Sequence, residues 1–273
     1  MISGISLTSS TELLIRSLAT VVAMLAPTTA WEAFLGHYRS GFALKAQYAP
    51  LASAALLTVA GVAALISPSQ WGTALQIVGG LGILSGLIGA GYHHYYGIVE
   101  KPGGYHWLLH HLMYHAPPFA PLSHVALGAL LMLTGSLVQG SPPIFGIAMR
   151  QWIVYLCAIT LAGTVAQSLI LHYRGAFNNL LMYLPATFPL LASVALIWYG
   201  LSPAPFTETF TVTCLWVTFL IGFVGVGMHI RGVDRQMGGF YIGWANLWQG
   251  PPITAPLFFS GFSAAALAVI RWG

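Results

Sequence analysis

The sequence predicts an all-α integral membrane protein whose eight transmembrane helices form two parallel four-helix repeats. Three observations predict it. The 273 residues are 57% hydrophobic and 5% charged, with a mean hydropathy of +0.79. Apolar segments of membrane-spanning length recur along the whole chain. A shift of 135 positions superposes the two halves of the chain without a gap. A soluble domain carries about 25% charged residues; fourteen charges cannot cover such a surface. Disorder is excluded by the apolar fraction, and a disulfide scaffold by two cysteines in 273 residues.

A span needs about 20 mostly apolar residues. The segments that qualify are 17–36, 50–66, 73–92, 119–138, 152–171, 184–200, 208–228 and 254–271. The first contains Pro27, which removes one backbone donor and predicts a kink. It follows a polar stretch (Thr8 to Glu12) with no basic n-region or small-residue cleavage site, so it reads as a helix, not a signal peptide. Turn chemistry separates the spans at Ser67-Pro68-Ser69, Gly140-Ser141-Pro142-Pro143 and Ser202-Pro203-Ala204-Pro205. Eight spans place both termini on one face. The opposite face then receives the ends of the four odd spans, with Arg39, Lys45, Lys101, Arg174, Arg231 and Arg235. The positive-inside rule favours that face as cytoplasmic, in a plasma (inner) membrane.

The self-similarity rests on punctuation rather than apolar filler. His37-Tyr38-Arg39 falls on His172-Tyr173-Arg174, and Phe42, Tyr48 and Pro50 fall on Phe177, Tyr183 and Pro185. Ser67-Pro68 falls on Ser202-Pro203, and His94 and Gly97 on His229 and Gly232. Gly103-Gly104 falls on Gly238-Gly239, and Pro121-Leu122 on Pro256-Leu257. The chain therefore divides into residues 1–138 and 139–273, with a pseudo-two-fold axis along the membrane normal. Small residues dense in the spans permit close helix approach.

Ten histidines stand out in a chain this poor in charge. His37, His94, His172 and His229 each end an odd span, at matched depth. Each half supplies one from its first helix and one from its third, as bis-imidazole ligation of haem b requires. The bland alternative is a histidine capping a helix C-terminus, where positive charge is favourable. Arg39, Arg174 and Arg231 follow their histidines by two residues and suit haem propionates, or lipid phosphate. On this reading the pairs are His37 with His94 and His172 with His229.

A second group lies only in the first half: His93, His106, His110, His111 and His115. If residues 105–115 are helical, His106 and His110 share a face, and so do His111 and His115. Imidazole clusters suit Fe, Cu or Zn. The His-x-x-x-His-His run of residues 106–111 resembles one box of the membrane di-iron hydroxylases and desaturases. Those enzymes use several boxes, and the second half has Tyr241, Ala245, Asn246 and Gly250 at the matching places. An amphipathic segment lying in the interface is the alternative. The matching segment 239–249 is also aromatic, so each half is expected to carry a short lid helix.

Glu32 lies inside the first span, where an acid is a functional candidate by default, and Gln167 matches it in the second half. His124 has no counterpart, and Cys157 and Cys214 read as small buried residues. No phosphate-binding glycine loop, c-haem motif or nucleophile elbow is present. The sequence shows no basic run for nucleic acid. The leading expectation is a membrane electron-transfer subunit, with haem b near the odd helix ends, serving quinone or a peripheral oxidoreductase or other subunits of a complex. In a broad sense such a protein resembles the quinone-linked membrane anchors of multisubunit oxidoreductases. The alternatives are a membrane enzyme with a non-haem metal centre and a small transporter of parallel repeats.

Overall fold

The structure, a computed structural model, describes residues 7–273. Among them helices dominate and there is no β-strand. The long helices are α1 (Ser9–Arg39), α2 (Ala49–Ile66), α3 (Gly72–His94), α5 (Leu122–Val138), α6 (Met149–Arg174), α7 (Leu184–Leu201), α8 (Pro205–Asp234) and α10 (Leu257–Trp272). Two short helices, α4 (Leu108–Tyr114) and α9 (Gly243–Gln249), precede α5 and α10. Six segments are long and apolar enough to cross a bilayer, and they mark an all-α integral membrane protein. They contain α1, α2, α3, α6, α7 and α8. The expected spans 119–138 and 254–271 appear as α5 and α10, of 17 and 16 residues, and fall short of that length. Each starts at a proline N-cap, Pro121 or Pro256, so the residues upstream leave the helix.

Local chemistry sets the boundaries. Thr8 caps α1 by accepting from the Thr11 amide, and the helix runs on unbroken through Pro27. After α1, Gly41 and Phe42 take φ of 68° and 49°; after α6, Ala176 and Phe177 take 54° and 46°. Phe42 then stacks on Tyr48 and Phe177 on Tyr183, each with centroids 4.6 Å apart. These stacks hold the left-handed backbone against its steric cost. Gly103 and Gly238 turn the chain into α4 and α9 at φ of 79° and 77°, where a Cβ is disfavoured.

The packing has two levels. Helices α1, α2, α3 and α5 form a ring of neighbours, and α6, α7, α8 and α10 form another. The rings meet through α1 with α10 and α5 with α6, so α1, α5, α6 and α10 make a central four-helix core. Leu14, Leu18 and Val22 of α1, Leu127 and Leu131 of α5, Ile153 and Leu161 of α6, and Phe262 of α10 fill it. The outer helices α2, α3, α7 and α8 turn large apolar side chains outward, among them Val59, Ile77, Val194 and Leu220. That is the expected surface for lipid.

Close contact between α3 and α5 depends on glycine. A Cβ on Gly79 would stand 2.5 Å from the Gly128 carbonyl oxygen, and one on Gly135 2.5 Å from that of Gly72. Backbones this near are the membrane solution to helix packing, since lipid tails provide no hydrophobic drive between helices.

The two ends of the molecule differ in chemistry. One gathers Glu12, Arg16, Ser67–Gln70 and Arg150, with Arg16 bonded to Glu12 and to the Leu65 carbonyl. The other carries α4, α9 and the C-terminal ends of α1, α3, α6 and α8. Cysteines placed at Ser40, Glu100, Asn178 and Met237 should all label from one side of sealed vesicles, and one at Phe145 only from the other. All five positions are exposed. Any of the first four labelling with Phe145 would break this arrangement.

Candidate metal centre

The histidine-bearing end is built by two lid segments. A turn of 3-10 helix, Gly104–Trp107, leads into α4, and its counterpart Gly239–Ile242 leads into α9. Each lid packs on the other half: α4 on the end of α6, and α9 on the end of α1. Trp244 of α9 meets Trp31, Phe34 and Tyr38 of α1 with centroids 5.3–6.5 Å apart. In the α4 lid, Tyr114 lies beneath the Arg174 guanidinium, 5.3 Å from ring centroid to Cζ. A cation over an aromatic face is attracted by the ring quadrupole.

Three imidazoles converge on α4. His110, His111 and His115 each offer a ligand atom, and these atoms lie within 4.8 Å of one another. The i,i+4 spacing brings His111 and His115 to a centroid distance of 5.1 Å, as the sequence predicts. His110 lies 5.7 Å from His111 and 6.0 Å from His115. Ligand nitrogens around a tetrahedral ion stand roughly 3.3 Å apart for bonds of about 2.0 Å, so small side-chain rotations close the set. Desolvation, then the charges of Lys101, His111 and His110, push the His115 pKa below the usual histidine value. That favours the neutral imidazole a metal needs.

His111 is the centre's clearest signal. It is 3% exposed, and neither ring nitrogen has a hydrogen-bond partner. Buried polar groups are normally paired, and an orphan calls for an explanation. The second half provides the comparison. Asn246 occupies the matching place on α9, is also buried, and donates to the carbonyls of Met237 and Gly239 at 3.2 and 2.7 Å. One lid closes on itself through an amide; the other presents an unpaired imidazole beside two more.

The other expected residues are distributed differently. His106 lies in the 3-10 turn, outside α4, so it does not share the His110 face and stays exposed. His93 is not part of the α4 cluster; it faces His37, with ring centroids 6.2 Å apart and planes perpendicular. In the second half His172 faces His229 at 6.5 Å. His94, which the 135-residue shift aligns with His229, points elsewhere and bonds Tyr105 at 2.7 Å. The ring that faces His37 is thus that of His93, not the expected His94.

The cause is a one-residue slip in α3. Gly86 and Gly89 pack on Pro121 as Gly222 and Gly225 pack on Pro256, an offset of 136. The His93 Nδ1–H donates to the Pro117 carbonyl as that of His229 does to Pro252, again 136. Gly97 and Gly232 return to 135, against Ala116 and Pro251. A π-helical turn, Tyr95–Val99, follows His93 and His94, contains Gly97, and takes up the extra residue. Sequence alignment without gaps could not see it. His172 likewise donates through Nδ1, to the Met182 carbonyl at 2.8 Å. Three of these four rings therefore keep Nε2 as the free nitrogen.

Arg39 and Arg231 are exposed and make no ion pair among the described residues. Glu32 accepts from the Thr254 amide and hydroxyl, both at 2.7 Å, and so ties α1 to the linker before α10. Gln167, its match, keeps both amide atoms buried without a partner. His124 is structural: its Nε2–H donates to the Pro50 carbonyl at 3.0 Å, joining α5 to α2. Cys157 and Cys214 are buried free thiols. Two open surface pockets, of about 400 and 260 Å³, lie at the opposite end, and no histidine lines either.

Fold and site together define a class: an all-α membrane protein with a triple-imidazole cluster, able to hold a metal ion, in a lid at one end. No protein-family model, curated protein or solved structure matches the chain.

Proposed function

We propose that this protein is a membrane enzyme whose reactive centre is a single non-haem metal ion held by His110, His111 and His115. The observation that carries the proposal is the buried His111 ring, unpartnered at both nitrogens beside two further imidazoles. Three protein ligands with a fourth position open is the pattern of catalytic, not structural, metal sites. All-nitrogen ligation suits Zn, Cu or Fe, and the scarcity of carboxylates argues against a bridged di-iron pair.

The architecture belongs to the same proposal. Residues 1–138 and 139–273 are two copies of one four-helix unit, with α5 and α10 completing eight spans about a pseudo-two-fold axis. Equal element ends support it: α2 and α7, α4 and α9, and the turns before them all recur 135 residues apart. The positive-inside count supports turning the histidine face toward the cytoplasm, in a plasma (inner) membrane. Only the first copy then carries the metal.

A second reading keeps haem b, one per half, between His37 and His93 and between His172 and His229, passing electrons between quinone and a peripheral oxidoreductase. The centroid distances of 6.2 and 6.5 Å favour it. Two iron–nitrogen bonds of about 2 Å, plus about 1 Å to each ring centre, give roughly 6 Å by analogy with metal–imidazole bonds.

Metal analysis and an absorption spectrum of the purified protein separate the two. The enzyme proposal expects one transition-metal ion per chain and no Soret band. A Soret band that H93A halves and H94A leaves intact would replace it with the haem reading. Protein without bound metal after supply of Zn, Cu and Fe would end the proposal.

A further inference from the structure

Arg174, at the α4 cluster, makes no ion pair among the described residues. Arg174 reaches across from α6 and lies over Tyr114, whose ring is 4.9 Å from that of His110. One Arg174 Nη atom is 3.5 Å from the Met113 carbonyl, which fixes the guanidinium over the last turn of α4. Among the described residues the one ion pair is Arg16 with Glu12, at the other end of the molecule. Three neutral imidazoles would leave a divalent ion with its full charge, and the Arg174 guanidinium adds one more. A fixed cluster of that charge, with an open coordination position, selects an anion.

We propose that the centre takes an anionic oxygen ligand of phosphate type, bound jointly by the metal ion and the Arg174 guanidinium. This rests on the metal-centre reading above. The guanidinium fork matches phosphate oxygens in a bidentate way, and such charge-assisted bonds are the strong ones. The second half supports the assignment by contrast: the residue matching Tyr114 is Gln249. Arg39, which matches Arg174, has no such platform. Two sources share the chemistry, free phosphate and the phosphate of a lipid headgroup, since the cluster lies at a helix-end surface.

Cobalt(II) substitution tests it, because the visible bands of cobalt report a new ligand. The full chain in phosphate-free maltoside detergent, loaded with Co²⁺, is titrated with inorganic phosphate. The bands should shift and saturate. In R174Q cobalt content should hold while half-saturation rises by about tenfold or more, the scale of one charge-assisted pair. R235Q, at an exposed arginine on the same face, should titrate as wild type. In phosphate-free nanodiscs of phosphatidylglycerol, bands already shifted before any phosphate is added identify the lipid headgroup as the source; unshifted bands that respond to added phosphate identify the free anion. Bands that ignore both sources, or R174Q titrating as wild type, overturn the anion proposal and leave the metal centre standing. Failure to bind cobalt at all overturns both.

Discussion

Replacing His111 by asparagine should empty the metal centre and leave the fold intact. Asparagine is the residue the second half places on the same lid, where Asn246 bonds two backbone carbonyls. The substitution thus removes a ligand while offering the lid its own closing amide. Loss of a residue that merely orients a ligand costs about 10–100-fold in metal affinity; loss of a ligand should exceed about 100-fold on that scale. Bound metal, measured by elemental analysis after dialysis, should fall from one ion per chain to near none. Thermal stability of the metal-free protein should match or exceed that of metal-free wild type, because the unpaired ring is gone. Metal content unchanged in H111N would return α4 to an aromatic interfacial segment. H106N makes the contrast: His106 is outside the cluster, and its loss should leave metal content as it is.

The largest effect on the fold is expected at Gly128. A Cβ there would stand 2.5 Å from the Gly79 carbonyl oxygen and 2.7 Å from the Ile83 amide nitrogen, so the obstacle is backbone on a neighbouring helix. Overpacking of this kind costs about 1–3 kcal/mol in well-packed cores. Here it acts where α3 meets the central core, with no hydrophobic drive to hold the helices together. G128L should abolish the monodisperse peak on size exclusion, and G128A should lower the melting temperature by several degrees, since about 1 kcal/mol shifts a domain of 150–250 residues by about 2–4 °C. At Gly80, by contrast, a Cβ would meet nothing within 4 Å. G80A should be neutral or stabilising, because alanine has the better helix propensity by about 1 kcal/mol. Equal behaviour of G128A and G80A would mean that α3 and α5 are not in backbone contact.

Much of this architecture is legible in one dimension. Apolar runs of about 20 residues announce spans because bilayer thickness and helix rise leave few other solutions. The turn residues are equally readable: Ser67-Pro68, Ser202-Pro203 and the glycine pairs at 103 and 238 fall where helices stop and chains bend. The i,i+4 relation of His111 and His115 follows from helical period alone. Short proline-capped helices are less legible, and α5 and α10 are shorter than their apolar runs.

What the sequence by itself determined is the class, an all-α membrane protein with its imidazoles at helix ends, because hydropathy and periodicity are local properties of a chain. What only the tertiary structure decided is which imidazoles meet. A one-residue slip already present at Gly86 of α3, and taken up only by the π-helical turn at Tyr95–Val99, brings His93 to His37 and turns His94 to Tyr105. A 3-10 turn before α4 leaves His106 outside the cluster that His110, His111 and His115 form. The exchange of lids between halves brings Arg174 to Tyr114 from the other half of the chain. Each of these is set by a backbone rotation or a contact between distant segments, and neither leaves a periodic mark in the order of the residues.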